Sequence, residues 1–186
     1  MTAKIKLNAA SGGGSFSLQA PSSSANNRVI TLPDIADGTL LTNQTAGTVL
    51  QVKNMIIPGE FSTTSATYAD NGLTLAITPS ATTSKILVLI NYLGAMNTDA
   101  NGQKIQLKIL RDSTAIFTSP SDYMRIDAAA NPGGSVRSYA GQFLSYLDSP
   151  STTSSVTYKN QTSMNGGAGT HYLTNGSNMT LLEVAA

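Results

Sequence analysis

Lys104-Ile105-Gln106-Leu107-Lys108-Ile109 alternates strictly between polar and apolar residues, so an extended chain carries Ile105, Leu107 and Ile109 on one face and the polar residues on the other. That is the period of a half-buried strand. Upstream, Lys85-Ile86-Leu87-Val88-Leu89-Ile90-Asn91-Tyr92 is an unbroken apolar run rich in branched side chains. It is too short for a typical helix and has the composition of a strand covered on both faces. Working outward, the same reading predicts strands over 61–68, 73–77, 115–118, 136–147, 155–160 and 179–184, and no segment shows a helical apolar stripe with caps.

Asn-Gly pairs tolerate the positive φ angles of tight hairpins. They stand at Asn71-Gly72, Asn101-Gly102, Asn165-Gly166 and Asn175-Gly176, with Asp37-Gly38 a close relative, and each is expected to join paired strands. Many strands with such punctuation predict an antiparallel β-sandwich or barrel.

The first third of the chain reads differently. Its apolar pieces, 5–7, 15–19 and 28–32, are short and separated by Gly12-Gly13-Gly14 and Pro21-Ser22-Ser23-Ser24. Pieces of that size do not close a core alone. They are expected to pack against other copies or another protein. The division drawn is residues 1–50 as a docking and interlocking segment and 51–186 as a β-sandwich head, with the dense strands starting near Met55.

Composition narrows the function. Charged residues are 11% of the 186, against roughly 25% in ordinary soluble domains, and Ser, Thr, Asn and Gly fill the polar positions. The net charge of +1 comes without any run of Lys or Arg able to neutralise adjacent phosphates, which argues against nucleic acid and anionic membrane as partners. Without cysteine there is neither a disulfide framework nor a thiolate site. The opening residues lack the apolar stretch of a signal peptide, and no segment approaches the ~18 apolar residues of a membrane span. A chain made in the cytoplasm and released within an assembled particle is expected.

The search for chemistry finds no catalytic signature. Any Ser-His-Asp arrangement must use His171, the single histidine, and no Gly-x-Ser-x-Gly elbow surrounds a serine. His171 reads as a polar residue at a loop edge beside Gly169. The ten carboxylates show no acid/base pairing of the kind a polysaccharide-cleaving enzyme needs, and the chain has no Trp. Asn97-x-Asp99-x-Asn101-Gly102 matches the start of a calcium loop, but the twelfth position, where a bidentate Glu is required, is Lys108. No metal and no cofactor is expected. Sequons at Asn43, Asn160, Asn175 and Asn178 arise from composition, and Gly12-Gly13-Gly14 lacks the Lys and helix of a phosphate loop. Tyrosines near predicted loops are the one hint of a recognition surface, because the ring offers large contact area at low entropic cost. On that basis Tyr123 beside Arg125, and Tyr172 beside His171, are the candidate receptor contacts.

Several segments in order carry a family resemblance: Ser17-Leu18-Gln19-Ala20-Pro21, Arg28-Val29-Ile30-Thr31-Leu32-Pro33-Asp34 and Asp37-Gly38-Thr39-Leu40-Leu41. In the head they are Phe61-Ser62-Thr63-Thr64-Ser65-Ala66-Thr67-Tyr68, Ile77-Thr78-Pro79-Ser80, Thr83-Ser84-Lys85-Ile86-Leu87-Val88, Phe143-Leu144-Ser145-Tyr146-Leu147-Asp148-Ser149-Pro150 and Met179-Thr180-Leu181-Leu182-Glu183-Val184. With these the chain resembles fibre proteins of phages, including marine and cyanobacterial phages. The resemblance implies a virion protein, commonly homotrimeric, with an N-terminal attachment portion and a C-terminal β-sandwich tip, and it carries over no catalytic residue. The chain is shorter than typical fibres, which leaves tail, capsid and distal tip open as its place.

The expectation is therefore an all-β protein with a jelly-roll-like antiparallel sandwich head and an extended N-terminal β segment. Its function is that of a non-enzymatic phage tail fibre or appendage. Its partners are further copies of itself in a homotrimer, other phage structural proteins through residues 1–50, and a host-surface glycan or protein at the tip. A capsid decoration protein is the alternative, and a carbohydrate-binding adhesin module a third reading.

Overall fold

The computed structural model describes residues 4–8, 11–19, 22–23, 25, 45–98, 102–121, 123–127, 136–165 and 169–186. The segments 28–34 and 37–41, which carry part of the family resemblance, lie outside them. The chain divides into two units, Met1–Thr39 and Leu40–Ala186. In the first, β1 (Lys4–Asn8) pairs antiparallel with β2 (Ser15–Gln19), setting Ile5 opposite Leu18 and Leu7 opposite Phe16.

The second unit is an all-β sandwich. Its strands are β3 (Val49–Ile56), β4 (Phe61–Thr63), β5 (Ala69–Ile77), β6 (Lys85–Thr98), β7 (Gln103–Arg111), β8 (Thr114–Thr118), β9 (Met124–Ile126), β10 (Val136–Asp148), β11 (Val156–Asn165), β12 (Gly169–Leu173) and β13 (Asn178–Val184). In one sheet β6 is central, with β10 on one side and β13 followed by β3 on the other, while β12 and then β4 continue that side along the far half of β6. The other sheet runs β5-β11-β7-β8, and β9 also pairs with β7. Two sheets of this kind, with the chain repeatedly switching between them, form a jelly roll.

Alternation builds the core. From the first sheet Ile86, Val88, Ile90, Tyr92, Met179 and Leu181 point inward, and from the second Leu73, Ile77, Ile105, Leu107, Ile109 and Tyr158 meet them. The strictly alternating stretch that predicted a half-buried strand is β7, and its Ile105, Leu107 and Ile109 are all buried.

Polar pins fasten the two layers. The Tyr158 hydroxyl on β11 donates to Asp148 Oδ2 at 2.7 Å, and Arg111 Nη1 on β7 donates to the same oxygen at 2.9 Å. Burial and the Asp148 carboxylate both push the Tyr158 hydroxyl well above its ordinary value, so it stays a donor. Tyr158→Phe should lower stability by about 1.5–3 kcal/mol, the worth of a hydrogen bond to a charged group, read as a shifted urea midpoint at unchanged slope. An unshifted midpoint would mean that Arg111 alone satisfies Asp148.

Three expectations need correction. The dense strands do not start near Met55, and β3 crosses the division drawn at residue 51. It pairs with β13 from Val49 onward, and Gly47 N–H donates to Ala185 C=O at 2.8 Å. The stretch Val49-Leu50-Gln51-Val52-Lys53-Asn54-Met55-Ile56 lacks clean alternation, because as the outermost strand of its sheet it is only partly covered.

The two Asn-Gly pairs that lie wholly among the described residues do not make hairpins, while Asp37-Gly38, Asn101 and Gly166 lie outside those residues. Asn71-Gly72 lies inside β5, where the pairing with β11 shifts register. Asn175-Gly176 forms an excursion between β12 and β13, which line the same side of β6. The connections carrying Asn101-Gly102 and Asn165-Gly166 join strands of different sheets. The chemistry that suggested a turn is nonetheless present: Gly72 has φ +90° and Gly176 φ +97°, conformations that a bulge demands as much as a hairpin does. The two-residue hairpin among the described strands of the sandwich is Asp112-Ser113, between β7 and β8, with Asp112 at φ 55°.

The third concerns His171, which is not at a loop edge. It lies within β12, and its side chain is 3% exposed.

Candidate functional site

In an ordinary sandwich the outward face of each sheet is polar. The outward face of the first sheet is not. Residue pairing places Val52, Leu182, Leu87 and Leu147 in one row across β3, β13, β6 and β10. The row of Asn54, Thr180, Leu89 and Ser145 is mixed, and the next is Ile56, Asn178, Asn91 and Phe143. Beyond them come Leu93 opposite Gly141, then Tyr139, Ala95 and Tyr172 in line.

These side chains face out because their strand neighbours face in: Ile86, Val88 and Ile90 between Lys85 and Asn91 are fully buried, as are Met179 and Leu181 beside Leu182. Exposure along the face is high, at 58% for Val52, 61% for Ile56, 57% for Leu147, 62% for Phe143 and 71% for Tyr139. With strands about 4.8 Å apart and residues about 3.3 Å apart, four strands over nine residues span roughly 550 Å². That area includes the polar positions of the mixed rows, and apolar patches of about 300–600 Å², the largest a typical monomer shows, are often functional.

Charge is confined to the two ends. Lys85 stands at one, its Nζ donating to Ser149 Oγ at 2.8 Å. At the other, the Arg137 guanidinium lies 4.9 Å from the Tyr172 ring centre and 5.1 Å from that of Tyr139. A cation against two aromatic faces holds both rings in place and gives the patch a polar rim.

The four residues singled out from sequence do not converge. Tyr172 belongs to this face. His171, its neighbour on the strand, points between the sheets, where it lines a small space with Tyr92, Gly94, Ile105, Leu107, Met124 and Gln142. Burial pulls its pKa down to about 4, and Nδ1 has no hydrogen-bond partner. Tyr123 packs against the core and its hydroxyl donates to Phe143 C=O at 3.5 Å, a long contact. Arg125, on β9 of the other sheet, pairs with Asp127 at 3.0 Å.

The buried carboxylates are tied into the scaffold. Glu183 on β13 accepts from Gln51 Nε2 and from both the N–H and the hydroxyl of Ser80, each at 2.6 Å. Burial alone would raise its pKa, but these donors outweigh burial and hold it down at about 2. Among the described residues no three His, Asp or Glu side chains gather as metal ligands do. The residues 99–101 of the calcium-like stretch lie outside the described set.

Apart from Tyr172, the residues of the face were not singled out as a surface in the sequence, although a signal was present. The run 85–92 is apolar on both strand faces, and the stretch 136–147 carries Tyr139, Phe143 and Leu147 on one face and Leu144 and Tyr146 on the other. Both patterns ask for a cover on each side of the sheet, and the sandwich provides one.

No protein-family model matches the chain, and no curated protein matches it. Solved structures do. The VP2 subviral particle of infectious bursal disease virus shares 12% identity with a TM-score of 0.46, covering 91% of this chain and 42% of that one. The Gx strain structure of the same virus shares 12% identity with a TM-score of 0.37 over 90% of this chain and 41% of that one. The D431N mutant VP2, in T=1 particles, shares 11% identity with a TM-score of 0.33. The chain thus spans about two fifths of the length of the first two.

Proposed function

We propose that this protein is a non-enzymatic structural subunit of a virus particle, a homotrimeric phage fibre or appendage whose jelly-roll head is carried outward to contact the host surface. The observation that carries the reading is the outward face of the first sheet, which has the apolar composition of a surface meant to be covered by protein. Neutral Ser, Thr and Asn elsewhere suit adhesion through hydrogen bonds, and three weak contacts on one trimer add up to strong avidity. The ordered sequence segments by which the chain resembles phage fibre proteins point the same way.

The test uses the intact purified chain, fluorescently labelled, with host bacteria. Saturable binding to cells, competed by unlabelled protein, is the expected result. Binding to isolated capsids with none to cells would replace the fibre reading with that of a capsid decoration protein.

A further inference from the structure

We propose that the outward face of the first sheet is the contact between copies of this chain, so that the head itself carries assembly. This rests on the self-assembling reading above and adds which surface is buried and against what. Each copy would set its β10 side, with Tyr139, Phe143 and Leu147, against the β3–β13 side of the next, with Val52, Ile56 and Leu182. Leu87 and Leu89 would lie between, and the ring would close after three copies.

Charge supports a second copy as the occupant. Between Lys85 and Arg137 no outward position on β3, β13, β6 or β10 is charged, so the face offers an acidic or basic partner nothing to pair with. An equally neutral, equally apolar surface fits, and the same face on another copy is one. The arrangement of a charge-free centre with polar ends, where Lys85 and Arg137 remain solvated, is that of protein interfaces generally. Strand β6 carries the same signal in its sequence: the single chain buries Ile86, Val88, Ile90 and Tyr92 on one face and leaves Leu87 and Leu89 on the other.

The measurement is the solution mass, by light scattering, of the intact chain and of Phe143→Glu and Val52→Lys, one on each half of the face, with Thr118→Glu on the opposite sheet as control. Thermal melts check that each variant still folds cooperatively. The unaltered chain and the control should have three times the 19.3 kDa of a single chain, and both face variants should fall to one chain while still folded. Face variants that stay trimeric would overturn this interface and leave the self-assembling reading intact. An unaltered chain that is monomeric at micromolar concentration would overturn that reading together with the interface.

Discussion

Asn160→Ala should lower the stability of the head by about 4 kcal/mol. Asn160 is fully buried on β11, where the pairing with β5 shifts register and the backbone ladder leaves a gap. Its Oδ1 accepts from Asn71 Nδ2 and from the Tyr92 hydroxyl, and its Nδ2 donates to Lys108 C=O at 2.9 Å. Asn71 in turn accepts from Leu73 N–H at 3.2 Å. One amide therefore joins β5, β6, β7 and β11 across both sheets. Removing it strands two buried donors, each costing about 1–3 kcal/mol when unpaired, and opens a cavity as well. Urea denaturation gives the number, and Tyr92→Phe, which removes a donor without stranding one, should cost about 1 kcal/mol. If the two variants lost equal amounts, water would be filling the place of the Asn160 side chain and the network would not be the pin described here.

The regular part of the fold was legible because periodicity reports burial. β6, β7, β10 and β13 announced themselves through runs or alternation of branched and aromatic residues, and an all-β sandwich followed. What failed was the meaning of polar residues. Asn71 read as a turn former and Asn160 as the end of a strand with a chance sequon, yet both are fully buried partners of each other, since an amide can fill a break in a β ladder as well as it can start a turn. β12 (Gly169–Leu173) went unseen because its inward side sets His171, which hydropathy scores as polar, between Gly169 and the single apolar Leu173, although the strand buries both His171 and Leu173.

The candidate surface was legible only in a form that invited another conclusion. A run apolar on both sides reads as the centre of a core, and half of that is correct for β6. Its other side can be recognised as surface only when the neighbours in the sheet are known, because Val52, Leu182, Leu87 and Leu147 are scattered over the sequence and aligned only by pairing. Tyrosine beside a predicted loop was a poor guide: Tyr172 reached the face through strand register, whereas Tyr123 is largely packed against the core.

Acid should unfold the head in two steps that belong to two different groups. His171 titrates at about 4 in the fold against 6.5 in a free chain, because its buried ring cannot be charged among Ile105, Leu107 and Met124. As pH falls below 6.5 the unfolded chain takes up a proton that the native chain does not, so stability drops until about pH 4, by roughly 3 kcal/mol at 1.36 kcal/mol per unit. Glu183 follows at lower pH. Its carboxylate, held at about 2 against 4.5 by Ser80 and Gln51, contributes stability in full above pH 4.5 and loses it as pH falls toward 2, by roughly 3 kcal/mol more. The sum is comparable with the whole stability of an ordinary domain, about 5–15 kcal/mol. Urea midpoints measured from pH 7 to pH 3 should therefore decline throughout. His171→Leu should flatten the decline between pH 6.5 and 4.5 without loss at pH 7, since Nδ1 has no partner to lose. The decline below pH 4.5 should persist in that variant and weaken in Glu183→Gln, which is less stable at pH 7 from the outset. A native chain whose midpoint stays level from pH 6.5 to 4.5 would show that His171 takes its proton without opening the sandwich, and that the space it lines admits enough water to solvate the charge.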